Sequence, residues 1–269
     1  MNNKKAIGIF DSGFGGLTVL SEIIKEMPNE NIVYFGDNAR APYGSKSSNL
    51  IKKYSLQDAN FLLSKNIKVI LIACNTASSY SISFLKKKIK NIPIYGVLET
   101  GAFACASNTK NNKVGVIATN STIKSNSYFN NIKKINNNIE IYQKACPLLV
   151  PIVEEGFSNK KIIKEVIFEY LKFFDNKSID TLMLGCTHYP ILFNYFAEYF
   201  GKNINIINSG FEIAKKLRFD LETLDLLNIS NKKPKYSYFT SDDTENFIKI
   251  SSLFMNNITT VKSINIEKY

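Results

Sequence analysis

Histidine occurs once in these 269 residues, as His188 in the stretch TLMLGCTHYP at 181–190, where it follows Cys186 by two places at the end of an apolar run. Long apolar runs are missing: no stretch approaches the ~20 residues that a bilayer-spanning helix needs, which excludes such a helix. The start MNNKKAIGIFDSG offers no signal-peptide core, because its apolar run is short and leads into Asp11. A cytoplasmic protein is therefore expected. Cysteine is scarce, at positions 74, 105, 146 and 186, and no C-x-x-C spacing occurs, which argues against a zinc ribbon or a redox dithiol. In a reducing compartment a disulfide framework is not expected either. Neither G-x-G-x-x-G nor a G-K-S/T phosphate loop is present, so the signatures of dinucleotide and nucleotide binding are absent.

Acidic residues are outnumbered, 23 against 34 basic ones, for a net charge of +11. Clustered cations would suggest nucleic acid, but the lysines are spread along the chain beside many Asn and Ile. The densest run, KKKIK at 86–90, falls late in a helical pattern, where cations complement the helix dipole. Nucleic acid is not expected as a partner. Hydrophobic residues make up 45% of the chain, enough for a sizeable core.

Eight short apolar runs alternate with helical patterns: KAIGIF, NIVYFG, KVILIAC, IPIYGVL, KVGVIAT, IEIYQKAC, DTLMLGC and NINIINS. Runs without polar alternation fit strands buried on both faces, and their alternation with helices predicts an α/β protein with mainly parallel sheets. The segment at 16–27 reads as a helix that stops at Pro28, and 47–66 as one capped by serine. The Lys- and Asn-rich segments at 108–113 and 130–138 read as surface turns. VILIACNTASS and TLMLGCTHYPI share a pattern of buried strand, small residue, cysteine and polar helix start. Each cysteine is thus placed at the carboxyl end of a strand, where open α/β sheets bind ligands. Two similar domains are expected, 1–98 with 209–269 and 99–208, their half-sites facing across a cleft.

The loop FDSGFGGL at 10–17 puts three glycines before a helix, a place for close backbone approach or for an anion, more plausibly a carboxylate than a phosphate. The loop GDNARAPYGSKS at 36–47 reads by itself as a surface turn. A thiol, with an ordinary pKa near ~8.5, serves as acid or base at neutral pH when its surroundings set its state. Two thiols across one cleft remove a proton from one face of a carbon and return one to the other, which inverts a stereocentre. His188 is placed to assist Cys186, and Asp11 to assist Cys74. Asn75, Thr76 and Thr187 follow the cysteines, where they can hold a carboxylate and an ammonium. A cysteine–histidine protease is the rival reading, but a spacing of two residues at a strand end suits that dyad poorly.

FDSGFGGLTVL, YFGDNARAPYGSKS, IACNTASS, CPLLVPIVEEG and DTLMLGCTHYP, in this order, resemble the glutamate racemases of the aspartate/glutamate racemase superfamily. The resemblance implies interconversion of L- and D-glutamate without a cofactor or metal, for peptidoglycan synthesis, by two α/β domains with the site between them, often as a homodimer. It implies Cys74 and Cys186 as the catalytic pair, with Asp11, Glu154 and His188 assisting proton transfer. Asp11 with Ser12, Tyr43 with Gly44, Asn75 with Thr76, and Thr187 with His188 match substrate-binding pairs, and Thr119 and Thr122 match further contacts. Two positions depart from the pattern: Thr100 replaces a usual proline and Asn208 a common aspartate.

Overall fold

The computed structural model describes residues 2–255 and 258–269. The first sheet contains β1 (Ala6–Asp11), β2 (Ile32–Gly36), β3 (Ile67–Ile72) and β4 (Ile94–Gly96); the second contains β5 (Lys113–Ala118), β6 (Glu140–Ala145), β7 (Thr181–Gly185) and β8 (Asn205–Asn208). The chain then returns to the first sheet with β9 (Tyr236–Thr240) and β10 (Val261–Ser263). The strand orders are β10-β9-β2-β1-β3-β4 and β6-β5-β7-β8, and every recorded pairing is parallel.

Eleven α-helices among the described residues connect these strands: α1 (Gly16–Glu26), α2 (Ser48–Leu63), α3 (Asn75–Lys88), α4 (Val97–Asn108), α5 (Asn120–Lys124), α6 (Ser127–Ile135), α7 (Leu149–Glu154), α8 (Lys160–Leu171), α9 (Phe193–Phe200), α10 (Ser209–Thr223) and α11 (Thr244–Ser251). None is long and apolar enough to cross a membrane.

All residues of β1, β3 and β7 are buried, which is why they read as unbroken apolar runs. Alternation along each strand still sorts the side chains: Ile7 and Ile9 face one core, Ala6 and Phe10 the opposite one. In the second sheet Leu182 and Leu184 pack on one side and Met183 on the other. Lys68, inside β3, is buried with its Nζ on Glu30 at 2.5 Å and on the carbonyls of Asn3 and Leu226, each at 2.7 Å. Its charge is neutralised and its donors are used, the condition for burying an ammonium.

Three sequence expectations are corrected. The segment at 130–138 is not a surface turn: most of it belongs to α6, whose Tyr128 and Ile132, four residues apart, face the core while the asparagines face solvent. The strands β9 and β10 were not anticipated; both carry exposed polar positions at one end of the sheet, and β10 has only 3 residues. The second cysteine is followed not by an α-helix directly but by a 3-10 turn, Tyr189–Leu192, before α9. The basic run ends α3 as expected, with Lys86, Lys87 and Lys88 exposed in its last turn.

The two crossings between sheets pass through α4 and α10. Thr100, one of the departures, lies in the first turn of α4, where its hydroxyl donates to the carbonyl of Val97 at 3.2 Å. Asn208, the other, caps α10 by accepting from the amide of Gly210 at 2.9 Å, a bond that an aspartate would make equally.

Candidate active site

The loops after β1, β3, β5 and β7 converge at the carboxyl ends of the two sheets and enclose a small cavity. Cys74 and Cys186 both line it, one from each sheet. The space between the walls is about 20 Å³, room for roughly one water. A larger groove, of about 670 Å³, lies between α4 and α10, but its lining shares no residue with the cavity and contains no cysteine or histidine.

The two thiols have unlike surroundings. Cys74 is the N-cap of α3 and accepts from the amide of Ala77 at 3.4 Å. Burial, reinforced by the nearby Asp11 carboxylate, raises its pKa to about 12 against the smaller downward pulls of Ser12 and the Ala77 amide. Cys74 is therefore a thiol at neutral pH. The sulfur of Cys186 instead lies 3.7 Å from Nδ1 of His188, whose Nε2 meets Oε1 of Glu154 at 2.8 Å. Burial alone would lower the pKa of His188. The bonds to Cys186 and Glu154, with their negative charge, outweigh it and raise the pKa to about 10. A doubly protonated ring donates from both nitrogens, which suits a sulfur on one side and a carboxylate on the other.

Asp11 stands behind the cavity wall, not on it. It is fully buried, its Oδ2 accepts from the amide of Gly13 at 2.9 Å, and its Oδ1 has no partner among the described residues. Burial raises its pKa against the opposing positive charge of His188. It meets the cavity through its effect on Cys74, while its neighbour Ser12 lines the wall.

The polar residues divide into those at the wall and those behind it. Asn75, Thr76, Thr119, Thr187 and His188 line the cavity; Thr122 is one step back. The hydroxyls of Thr76, Thr119 and Thr122 form a closed triangle with 3.0 Å sides that joins α3 of the first sheet to α5 of the second. Tyr43 and Gly44 also reach the wall, but the Tyr43 hydroxyl points away from it, bonded to the carboxylates of Asp37 and Asp58. What this pair can offer a ligand is backbone. Gly44 itself packs so closely on Thr119 that an added Cβ would come within 2.9 Å of the Thr119 Cβ.

The loop at 36–47 is thus no surface turn. Arg40 binds Asp37 at 2.7 Å and Asp58 at 2.9 Å and stacks on the Tyr54 ring, 4.1 Å from its centroid. Burial and then the charge of Asp37 push the Asp58 carboxyl well above its ordinary range, and the guanidinium offsets part of this. The combination of Arg40, Pro42, Tyr43 and Gly44 in one polar loop was the available signal; the partner Asp58 lies on α2 and was not foreseeable.

The glycine loop makes a close approach, here to the second sheet. Gly13, Gly15 and Gly16 are not among the residues with positive φ, so conformational freedom is not what they supply. A Cβ at Gly15 would fall 2.5 Å from Nδ1 of His188 and closer still to Oγ1 of Thr187. The missing side chain lets the first sheet's loop press against the second sheet's thiol loop. Thr18 ties the contact, donating to the carbonyl of Thr187 at 2.8 Å.

Two parallel sheets, each presenting one cysteine from the end of a strand to a shared cavity, define a protein built for acid–base chemistry on a small molecule held between two sulfurs. Residues 16–215 match the Asp/Glu/Hydantoin racemase family. The chain is 43% identical over 251 residues to a glutamate racemase of Geobacter metallireducens, covering 93% of each chain. It is 41% identical over 268 residues to one of Thermoanaerobacter pseudethanolicus, covering 99% of this chain and 100% of the relative. Among solved structures, the glutamate racemase of Francisella tularensis in complex with D-glutamate superposes with a TM-score of 0.92 at 38% identity, covering 99% of this chain and 100% of that one. The chain belongs to the Asp/Glu/Hydantoin racemase family.

Proposed function

We propose that this protein is a cofactor-independent racemase interconverting L- and D-glutamate, and that it supplies D-glutamate for peptidoglycan from the cytoplasm as a homodimer. The observation that carries the reading is the sharing of one cavity by two thiols with unlike partners, the Ala77 amide at Cys74 and the His188 ring at Cys186. The name and D-glutamate complex of the Francisella tularensis relative support the choice of substrate. The division into 1–98 with 209–269 and 99–208 belongs to the same proposal, supported by the separate strands of the two sheets.

Nδ1 of His188 faces the Cys186 sulfur at 3.7 Å and can exchange a proton with it, and in this scheme that sulfur takes the α-proton of L-glutamate. The electron pair left on Cα spreads into the α-carboxylate, and the Cys74 thiol returns its own proton to the opposite face. The products are D-glutamate, a Cys74 thiolate and a Cys186 thiol; the reverse direction uses the same groups in exchanged roles. Since a Cα–H is a far weaker acid than a thiol, donors must hold the developing charge, each worth about 3 kcal/mol. Ser12, Thr76, Thr187 and the backbone of Tyr43 and Gly44 supply them, with the Asn75 amide holding the carboxylate throughout, Thr119 and Thr122 completing the wall and Asp11, Glu154 and His188 setting the charges around the sulfurs. Admission of an amino acid to so small a space requires the two walls to separate. Purified protein given L-glutamate alone should bring its optical rotation to zero; a stable rotation overturns the proposal.

Glu154 gives a second measurement. His188 is raised from 6.5 to about 10, so the stability its charge provides is complete below pH 6.5 and is lost as pH rises through 10. Glu154→Gln removes the carboxylate at 2.8 Å. The alkaline limb of kcat/KM for L-glutamate should move down by about one pH unit or more. An unmoved limb would show that Glu154 does not set the charge of His188.

A further inference from the structure

Asn75 is 2% exposed, and its two amide atoms are treated differently. Its Oδ1 accepts from the hydroxyl of Tyr128 at 2.6 Å, while its Nδ2 has no partner among the described residues although the side chain lines the cavity. An amide's oxygen and nitrogen are nearly isosteric, so a buried asparagine faces its ligand with either one unless something fixes it. A buried donor left unpaired is costly unless a ligand meets it.

We infer that Tyr128 is a positioning residue for the racemase site, fixing the Asn75 amide so that its NH2 faces a substrate carboxylate; this rests on the function proposed above. Tyr128 lies on α6, beneath the second sheet, and Asn75 opens α3 beside the first, so the bond runs across the cleft between elements 53 residues apart. The site for the ring is shaped for it. A Cβ on Gly185 would stand 3.0 Å from its Cε2, and one on Gly101 would stand 3.3 Å from its hydroxyl oxygen. Burial holds the phenol well above its ordinary pKa. The hydroxyl therefore keeps its proton, and it donates that proton to the oxygen of Asn75, leaving the nitrogen to the cavity.

A donor that meets the carboxylate in both ground and transition states acts on KM more than on kcat. Tyr128→Phe keeps the ring that fills the space beside the two glycines and removes only the hydroxyl. It should raise KM for both glutamate enantiomers about tenfold with kcat changed far less, a size expected for one hydrogen bond to a charged group. In an Asn75→Ala background the same substitution should change KM by less than about twofold, because the group through which Tyr128 acts is gone. A purely structural role would alter both backgrounds alike and would lower the melting temperature in step with activity. An unchanged KM in Tyr128→Phe, or an equal effect in both backgrounds, overturns the inference while leaving the racemase reading intact. An inactive wild-type protein overturns that reading instead.

Discussion

Serine in place of Cys74, and separately in place of Cys186, is expected to lower racemisation by about 10³-fold or more, since each removes one of the two acid–base groups and a serine hydroxyl cannot replace a thiol at neutral pH. The fold should survive both changes. At Cys74 the sulfur already caps α3 through the amide of Ala77, and serine is a better N-cap than cysteine, so this variant should melt no lower than the wild type. The two variants should differ in what they retain. With Cys186 and His188 intact, the Cys74→Ser protein can still take the α-proton of L-glutamate and return a solvent deuteron to the same face, giving exchange without inversion. The Cys186→Ser protein should do this for D-glutamate alone. Proton NMR of each enantiomer in heavy water, paired with optical rotation, separates exchange from inversion. Near wild-type racemisation by either variant would remove the two-sulfur scheme.

The parts of this arrangement that could be read from the sequence share a physical origin. Strands β1, β3, β5 and β7 are buried by helices on both faces, so their sequences are nearly unbroken apolar runs whose ends are visible where polar residues begin. Cys74 and Cys186 stand at such ends, which is why their meeting at one cavity was open to inference. Strand β9 and the edge strand β10 lack that signature, because their exposed positions carry Ser237, Lys262 and Ser263. Side-chain direction was still less accessible. Nothing within the loop at 36–47 says that the hydroxyl of Tyr43 turns to Asp58 and not to the cavity, and nothing near Asn75 announces Tyr128. Such choices are made by partners brought together only when both sheets have formed, and local sequence carries no trace of them. The glycines of the first loop were visible as punctuation, but their purpose, the absence of a side chain against another sheet, required the second sheet to be in place.

That purpose yields a sharp steric test in the pair Gly15→Ala and Gly13→Ala. A Cβ at Gly15 would lie 2.5 Å from both Cε1 and Nδ1 of His188, well inside van der Waals contact. His188 has little freedom to yield: Glu154 holds its Nε2 at 2.8 Å, the Cys186 sulfur lies 3.7 Å from its Nδ1, and Thr18 fixes the preceding residue's carbonyl at 2.8 Å. Either the glycine loop lifts away from the second sheet, which draws the two walls of the cavity apart, or the imidazole swings off the sulfur, which takes from Cys186 its ring partner. A displacement of about 1 Å at a reacting centre costs on the order of 10²-fold in rate, and overpacking costs about 1–3 kcal/mol in stability. Gly15→Ala should therefore lose about 10²-fold in kcat/KM, with a modest fall in melting temperature. At Gly13 the nearest neighbours of an added Cβ are 3.6 Å away, the side-chain atoms of Asn38 and Glu154, which is ordinary contact. Both substitutions remove a glycine from the same loop and restrict the unfolded chain alike. If the two variants lost activity equally, backbone freedom and not clearance would be what the loop requires; if only Gly15→Ala lost it, clearance against His188 and Thr187 is what the site depends on.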